Sequence, residues 1–267
     1  MRYLFFFAIC FLFVSVANAQ FWAGPKFGVQ MTKHSYQSPK FTSRYKVKGD
    51  VNWHAGIALQ YTTEQKFAVH TELVFQKVSN NVQNDADTAV LNHTTNYSFV
   101  STVMHGRYTV GYLGGATSLY IVAGPRLSYW LSGSGSYESQ EAADNFGVPG
   151  GDFTVTFSDV SEGVGTGNFV ITRPNRIQYG LDFGVGTILD LASGQRLNVE
   201  VRYSIGHSNM GFDQDLELVE GIEYKPSIEY ANNMAVFSLS YLFGYNPNDR
   251  RKGSSTNKLS NGARKKR

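Results

Sequence analysis

The chain has 267 residues, of which 42% are hydrophobic, 14% aromatic and only 17% charged, with 27 Gly against 7 Pro. That composition excludes a disordered chain, which would be charge-rich and aromatic-poor, and the length leaves ample room for a buried core. The net charge of +3 is split: residues 246–267 carry +7 and Arg2 adds +1, leaving −5 on residues 20–245, which disfavours a nucleic-acid binder in the main body.

Arg2 precedes an apolar run from Tyr3 to Val16, followed by Ala17-Asn18-Ala19. A charged start, an apolar stretch and an A-x-A site predict a secretory signal peptide over residues 1–19. Cys10, the only cysteine, lies inside that run. The exported chain is therefore expected to have no disulfide, no thiolate metal site, no thiol nucleophile and no lipid anchor. No later stretch approaches the ~18 apolar residues of a membrane helix.

After Gln20 the dominant period is two, which predicts strands. The first sets Ala23, Pro25, Phe27, Val29 and Met31 against Gly24, Lys26, Gly28 and Gln30. The second, near 51–61, opposes Trp53, Ile57 and Leu59 to Asn52, His54 and Gln60. The third opposes Phe67, Val69, Leu73 and Phe75 to His70, Glu72 and Gln76. In the fourth, near 97–110, Met104 and Tyr108 on one side turn His105 and Arg107 to the other. The fifth opposes Leu119, Ile121, Leu127 and Tyr129 to Tyr120, Gly124, Arg126 and Ser128. The sixth opposes Tyr179, Leu181 and Phe183 to Gly180, Asp182 and Gly184; the seventh opposes Val199, Val201 and Tyr203 to Glu200, Arg202 and Ser204. The eighth opposes Phe237, Leu239 and Phe243 to Ser238, Ser240 and Gly244.

Eight amphipathic strands close either as a soluble sandwich or barrel with the apolar face inside, or as a membrane barrel with that face outside. The polar faces are rich in Gly, Ser and Ala, which suit the crowded interior of an eight-stranded barrel better than a solvated surface. Joins near 62–65, 111–116 and 192–195 are short, whereas those near 35–50, 79–96, 133–173 and 207–232 are long. Alternating short turns and long loops is the outer-membrane pattern. Trp22, Tyr61, Phe67, Tyr112, Phe243 and Tyr245 are expected in a girdle at the turn side, and Trp53, Phe75, Tyr97, Tyr129 and Tyr203 in one at the loop side. The expected fold is all-β: an eight-stranded antiparallel up-and-down transmembrane β-barrel over residues 20–245, in the cell outer membrane with periplasmic termini.

Several motifs also carry a family resemblance. Trp22-Ala-Gly-Pro-Lys-Phe-Gly28, Val69-His-Thr-Glu-Leu-Val-Phe-Gln-Lys77, Tyr120-Ile-Val-Ala-Gly-Pro-Arg126, Arg202-Tyr-Ser-Ile-Gly206 and Ser238-Leu-Ser-Tyr-Leu-Phe243 span roughly 21–245. This set resembles the PorT-like outer-membrane β-barrel family, of the Bacteroidetes type. The resemblance implies a component of type IX protein secretion and gliding, with the outer-membrane bilayer and other secretion or envelope proteins as partners. The 22 residues after Tyr245 depart from barrels that end at the last aromatic strand.

The inward cations Lys26, Arg107, Arg126 and Arg202 and the inward acids Glu72, Asp182 and Glu200 are expected to pair as a structural lumen network, since unlike charges in low dielectric do not stand alone. Such a plug disfavours the alternative of a narrow solute channel. The histidines, His34, His54, His70, His93, His105 and His207, show no H-x-x-x-H spacing, so no metal site and no cofactor are expected. His207-Ser208-Asn209 is similar to the His-x-Ser-Asn of lipid A deacylases, with Asp213 or Glu217 as a third member. Here, however, His and Ser are adjacent, so a regular strand points them to opposite sides, and no enzymatic activity is expected. Residues 133–168 are Gly- and Ser-rich, but 152–157 alternate and could extend strands above the membrane.

After Asn246-Pro247-Asn248 the apolar period stops. Residues 246–267 are too polar to fold alone and are expected to form a disordered periplasmic tail. Arg250, Arg251, Lys252, Arg264, Lys265, Lys266 and Arg267 would tether it to peptidoglycan or an acidic envelope partner.

Overall fold

A computed structural model describes residues 20–62, 66–84, 92–158, 168–172, 174–212 and 226–245. The expected signal peptide and basic tail lie outside the described residues. In chain order the elements are β1 (Gln20–Tyr36), α1 (Pro39–Arg44), β2 (Lys46–Gly49), β3 (Val51–Thr62), β4 (Phe67–Gln83), β5 (Asn92–Tyr112), β6 (Thr117–Glu138), α2 (Gln140–Phe146), β7 (Gly150–Ser158), β8 (Asn168–Thr172), β9 (Ile177–Asp190), β10 (Gln195–Gly206) and β11 (Tyr230–Tyr245).

Eight of these strands close a ring. β1 pairs antiparallel with both β3 and β11, and the antiparallel ladders between them run β3, β4, β5, β6, β9, β10, β11. Closure leaves no unpaired edge, the condition for strands to cross hydrocarbon. The alternation decides which face goes where. Phe27, Val29, Met31, Trp53, Ile57, Leu73, Met104, Tyr108, Ile121, Leu127, Tyr179, Leu181, Phe183, Val201, Tyr203, Phe237 and Leu239 all point out and are exposed. A continuous apolar surface of this kind is a lipid-facing belt. Two of the short turns, after Tyr112 and after Asp190, place Gly114 (φ 70°) and Gly194 (φ 81°) in the left-handed region, where a glycine carries no penalty.

At the loop end much of what the composition suggests is loop is strand. β4, β5 and β6 run on past the belt, and their outward faces turn polar at one level: Phe75 gives way to Lys77, Val100 to Ser98, and Leu131 to Ser132. At the same level β6 leaves β9 after the Tyr129–Ile177 pair and takes β7 instead from the Gly133–Val155 pair. β8 then lies parallel to β7 and leads down into β9. An extra strand is thus wedged into the wall, and a register shift between Ser98 and Phe99 accompanies the fork. The alternation at 152–157 does extend the sheet. The wider upper chamber is filled by a buried apolar cluster that includes Phe41, Tyr97, Phe99, Trp130, Phe153, Phe169, Met210 and Tyr230.

Candidate functional site

The interior of the barrel holds the densest chemistry in the described residues. By parity β1 turns Lys26 inward, β4 His70 and Glu72, β5 His105 and Arg107, β6 Arg126, β9 Asp182, and β10 Glu200 and Arg202; all are buried. Lys26 is in an ion pair with Glu72 and lies 3.3 Å from Glu200 Oε1. Arg107 donates to Glu200 Oε2 at 3.0 Å and to Gln60 Oε1 at 2.6 Å, and its guanidinium lies 4.0 Å from the centre of the Tyr120 ring. Tyr120 donates its hydroxyl to the same Glu200 oxygen at 3.0 Å. Arg202 bonds Glu72 Oε2 at 3.1 Å and approaches Glu200 at 3.3 Å and Asp182 at 3.9 Å. Arg126 Nε stands 3.7 Å from Asp182, which also accepts from Ser204. Every one of the seven charges therefore has an opposite charge within 4 Å, as burial of an ion demands.

Small residues make that network possible. A Cβ on Gly184 would stand 2.6 Å from Arg202 Cγ, and one on Gly180 would stand 3.3 Å from an Arg126 nitrogen. The inward face of β9 is bare at Gly180 and Gly184, where the long cations of its neighbours lie across it. The ladder also stacks His70 against His105, ring centres 6.4 Å apart, which scatter over separate strands in the sequence does not reveal. Ligand atoms of Glu72, His105 and Glu200 lie within 4.8 Å of one another. Both carboxylates are already held by Lys26 and Arg202, and Glu200 by Arg107 as well, so a divalent cation would enter against three positive charges. That donor set does not fit a metal.

Below and above the network, described side chains pack across the lumen. At the turn end Trp22, Ala58 and Leu242 pack together, and Arg196 caps the indole at 3.9 Å. Above the network a void of about 10 Å³, room for one water, lies among residues such as Gln76, Arg126, Gln178, Ser208 and Asn232. Over it sits the aromatic cluster, where Tyr97 and Trp130 meet edge to face at 5.1 Å. Trp22 and Tyr97 are therefore not girdle residues. Both share the parity of the inward face, Trp22 with Lys26 and Tyr97 with Phe99 and Ser101, and both are buried. The remaining expected girdle aromatics point outward.

His207 and Ser208 do point to opposite sides. His207 is exposed and packs on the Tyr179 ring at 5.5 Å, while Ser208 Oγ is buried and accepts from the Tyr179 amide at 2.9 Å. The serine thus clamps the backbone of β9 to the residues that follow β10, with no base beside it among the described residues. Asp213 and Glu217 lie outside the described residues. Sequence reasoning missed Arg176, which closes the fork in the wall. It donates to the carbonyls of Trp130 (3.1 Å) and Leu131 (3.4 Å) where β6 has left β9, and its guanidinium lies between Tyr129 and Phe157, 4.7 and 4.6 Å from their centres.

Comparison with known proteins adds the family. A family model described as an outer membrane protein beta-barrel domain matches residues 17–210. No curated protein matches the chain in sequence. Among solved structures the chain is similar to Ail, the attachment invasion locus protein of Yersinia pestis, determined in complex with the heparin analogue sucrose octasulfate; identity is 10%, coverage 84% of this chain and 99% of that one, and the TM-score 0.36. It is also similar to Neisserial surface protein A (11% identity, 85% and 99% coverage, TM-score 0.37). A third is OprG from Pseudomonas aeruginosa (12% identity, 85% and 95% coverage, TM-score 0.43). With the family match covering most of a chain whose eight strands close with their apolar faces outward, this protein belongs to the outer membrane protein β-barrel domain family and resides in the outer membrane.

Proposed function

We propose that the chain is a non-conducting, non-enzymatic outer-membrane scaffold that works as a component of an envelope assembly. The observation that carries this reading is the filled interior. Charge pairs occupy the middle, an aromatic cluster the loop end and Trp22 the turn end, with a void of about 10 Å³ among the described residues between the network and the cluster. A solute path needs continuous water, so the lumen serves as a structural plug that fixes strand register, and the working surfaces lie at the two ends. In this reading residues 1–19 direct export, the turn end and both termini are periplasmic, and the loop end, capped by β7 and β8, is extracellular.

The motif resemblance to the PorT-like family favours type IX secretion and gliding as the process, with other secretion or envelope proteins as partners. Deleting the gene is expected to block secretion through that route and to abolish gliding, with both restored by the full chain. Intact secretion and gliding in the deletion strain would remove this role. In planar bilayers the purified protein is expected to show no conductance steps; steps that persist after stringent purification would favour the solute-channel alternative instead.

A further inference from the structure

Above the belt the outward faces of β5, β6 and β7 form one polar sheet surface. Register sets Asn96, Ser134 and Thr154 in one row across the three strands, and Thr94, Ser136 and Asp152 in the next. With strands ~4.8 Å apart and same-face residues ~6.8 Å apart along each strand, the two rows make a regular grid of hydroxyl, amide and carboxylate groups. Asn96 accepts from Ser79 Oγ at 2.6 Å, which leaves its NH2 group for a ligand. Ser134, Ser136, Asp152 and Thr154 are exposed, and their side chains bond no other group among the described residues. Two open grooves run over the grid. One, of about 400 Å³, lies among Asn96, Ser134, Ser136, Asp152 and Thr154. The other, of about 480 Å³, shares Ser136 and Asp152 and continues to Tyr137, Glu138 and the Gly150-Gly151 pair. Both fall in the size range of small-ligand sites.

We propose that this face is a binding site for a neutral oligosaccharide, a short run of uncharged sugar units seated across Ser134, Ser136 and Asp152. Sugar hydroxyls both donate and accept, and the grid answers with groups of both kinds. Serine and threonine hydroxyls do either, the Asn96 NH2 donates, and the Asp152 carboxylate accepts. In the second groove the Tyr137 ring offers an apolar wall to the C–H face of a sugar. Charge sets the class of ligand. Residues 132–158 hold four acids and no Lys or Arg, and residues 92–98 hold none of the four charged residue types. Lys48 and Lys77 reach the same sheet only on β2 and β4, on the other side of β5. A sulfated or phosphorylated glycan is therefore repelled. A surface that was merely solvated would carry long side chains of both signs interspersed. The platform is also firm: Phe153 and Val155 of β7 pack inward on the aromatic cluster behind it, so little ordering accompanies binding. Given the extracellular loop end proposed above, the ligand is a cell-surface saccharide.

The test uses the full exported chain folded in an uncharged detergent without a sugar headgroup. It does not depend on orientation in the cell, which protease accessibility of the loop end on intact cells reports separately. Short neutral gluco-, manno- and galacto-oligosaccharides, each beside its sulfated counterpart, are offered on a printed array, and those that bind are titrated in solution. Heat-modifiability on gels confirms the fold of each variant. The wild-type chain is expected to bind at least one neutral sugar and to bind its sulfated counterpart on the order of 10-fold more weakly, a comparison that needs no variant. The combined Ser134→Ala, Ser136→Ala variant is expected to lose about 10-fold in affinity for the neutral sugar. Asp152→Asn is expected to narrow the gap between the neutral and sulfated forms. Binding to no neutral sugar, equal binding of the two forms by the wild-type chain, or undiminished binding by the serine variant overturns the proposal. Competition by polysaccharide stripped from the producing cells identifies their own surface as the source of the ligand, and its absence identifies a foreign one.

Discussion

Glu200 is the residue on which the lumen network turns. One carboxylate faces Lys26, Arg107 and Arg202 and accepts the Tyr120 hydroxyl, in surroundings where only 2% of its side chain is exposed. Glu200→Gln would leave Arg107 with no acid within 4 Å among the described residues and take one acid each from Lys26 and Arg202, which keep Glu72 and, for Arg202, Asp182; breaking a buried pair from one side costs about 3–5 kcal/mol. Urea unfolding from lipid vesicles is expected to show that loss. Asp190→Asn at the turn end, where the Arg196 pair is half exposed on the acid side, is expected to change stability by less than about 1 kcal/mol. Equal effects of the two substitutions would mean that the lumen is hydrated and the network screened. Parity alone placed all seven lumen charges on the inward face, because in a closed barrel with period-two strands that face has nowhere else to go. Which cation meets which acid was not legible. Lys26 on β1 reaches past β3 to Glu72 on β4, and that depends on strand stagger, which no single strand displays. For Trp22 and Tyr97, aromatic character near a strand end suggested the interface while the parity of each strand pointed inward, and parity prevailed.

At the scale of the element, the loop-end cap shows why composition misleads. Ser132-Gly133-Ser134-Gly135-Ser136 has the makeup of a flexible linker, yet it is a strand. The serines face out, and the glycines face in beneath aromatic rings: a Cβ on Gly133 would stand 3.0 Å from the Tyr97 ring, and one on Gly135 would stand 2.5 Å from the Phe153 ring. The alternation was present in the sequence, but with no apolar residue on either face its period carried no hydrophobic signal. Arg176 holds the root of this cap. Arg176→Ala would leave the Trp130 and Leu131 carbonyls without their donor at the fork, for a local cost of about 1–3 kcal/mol. Proteolysis within 133–158 is expected to accelerate while heat-modifiability of the barrel is retained; unchanged protease resistance would show that the cap stands without it. The cap should also be acid-sensitive. His93 lies on the stretch of β5 beyond the belt, wedged against Phe153 and Phe169, and burial pushes its imidazole down from 6.5 to about 4. In an opened cap His93 takes up a proton as pH falls through about 6.5, whereas in the closed cap it stays neutral until about 4. Stability is therefore full above 6.5 and falls by up to about 3 kcal/mol as pH drops through that window. Protease cleavage of the cap should rise between pH 7 and pH 4.5, and His93→Phe should flatten the rise. An equal rise in the variant would assign the acid sensitivity to other groups.

For the molecule as a whole, both ends of the barrel chain leave from the same place. Phe21 pairs with Tyr245, so the residues after Tyr245 depart from the turn end, beside the start of β1. They make up a 22-residue segment with eight Lys or Arg and a single acid, joined to a main body of net −5. The buried ions of the barrel each already have an opposite charge within 4 Å. The segregated charge of the tail suits a polyanion near the turn end, and in the orientation proposed above that polyanion is peptidoglycan or an acidic domain of a partner protein. The attraction would be long-ranged and sequence-tolerant: Lys and Arg exposed to solvent act through their summed field, screened within about 10 Å at 0.1 M salt. Removing residues 248–267 is thus expected to leave heat-modifiability unchanged and to lower co-sedimentation with purified cell-wall sacculi at low salt. Raising the salt should lower co-sedimentation of the intact chain to the same level and leave the truncated chain unaffected. Replacing Arg250, Arg251, Lys252, Arg264, Lys265, Lys266 and Arg267 by Gln should reproduce the truncation, because charge rather than length carries the interaction. If the truncated and intact chains co-sediment equally at low salt, the tail is not a tether.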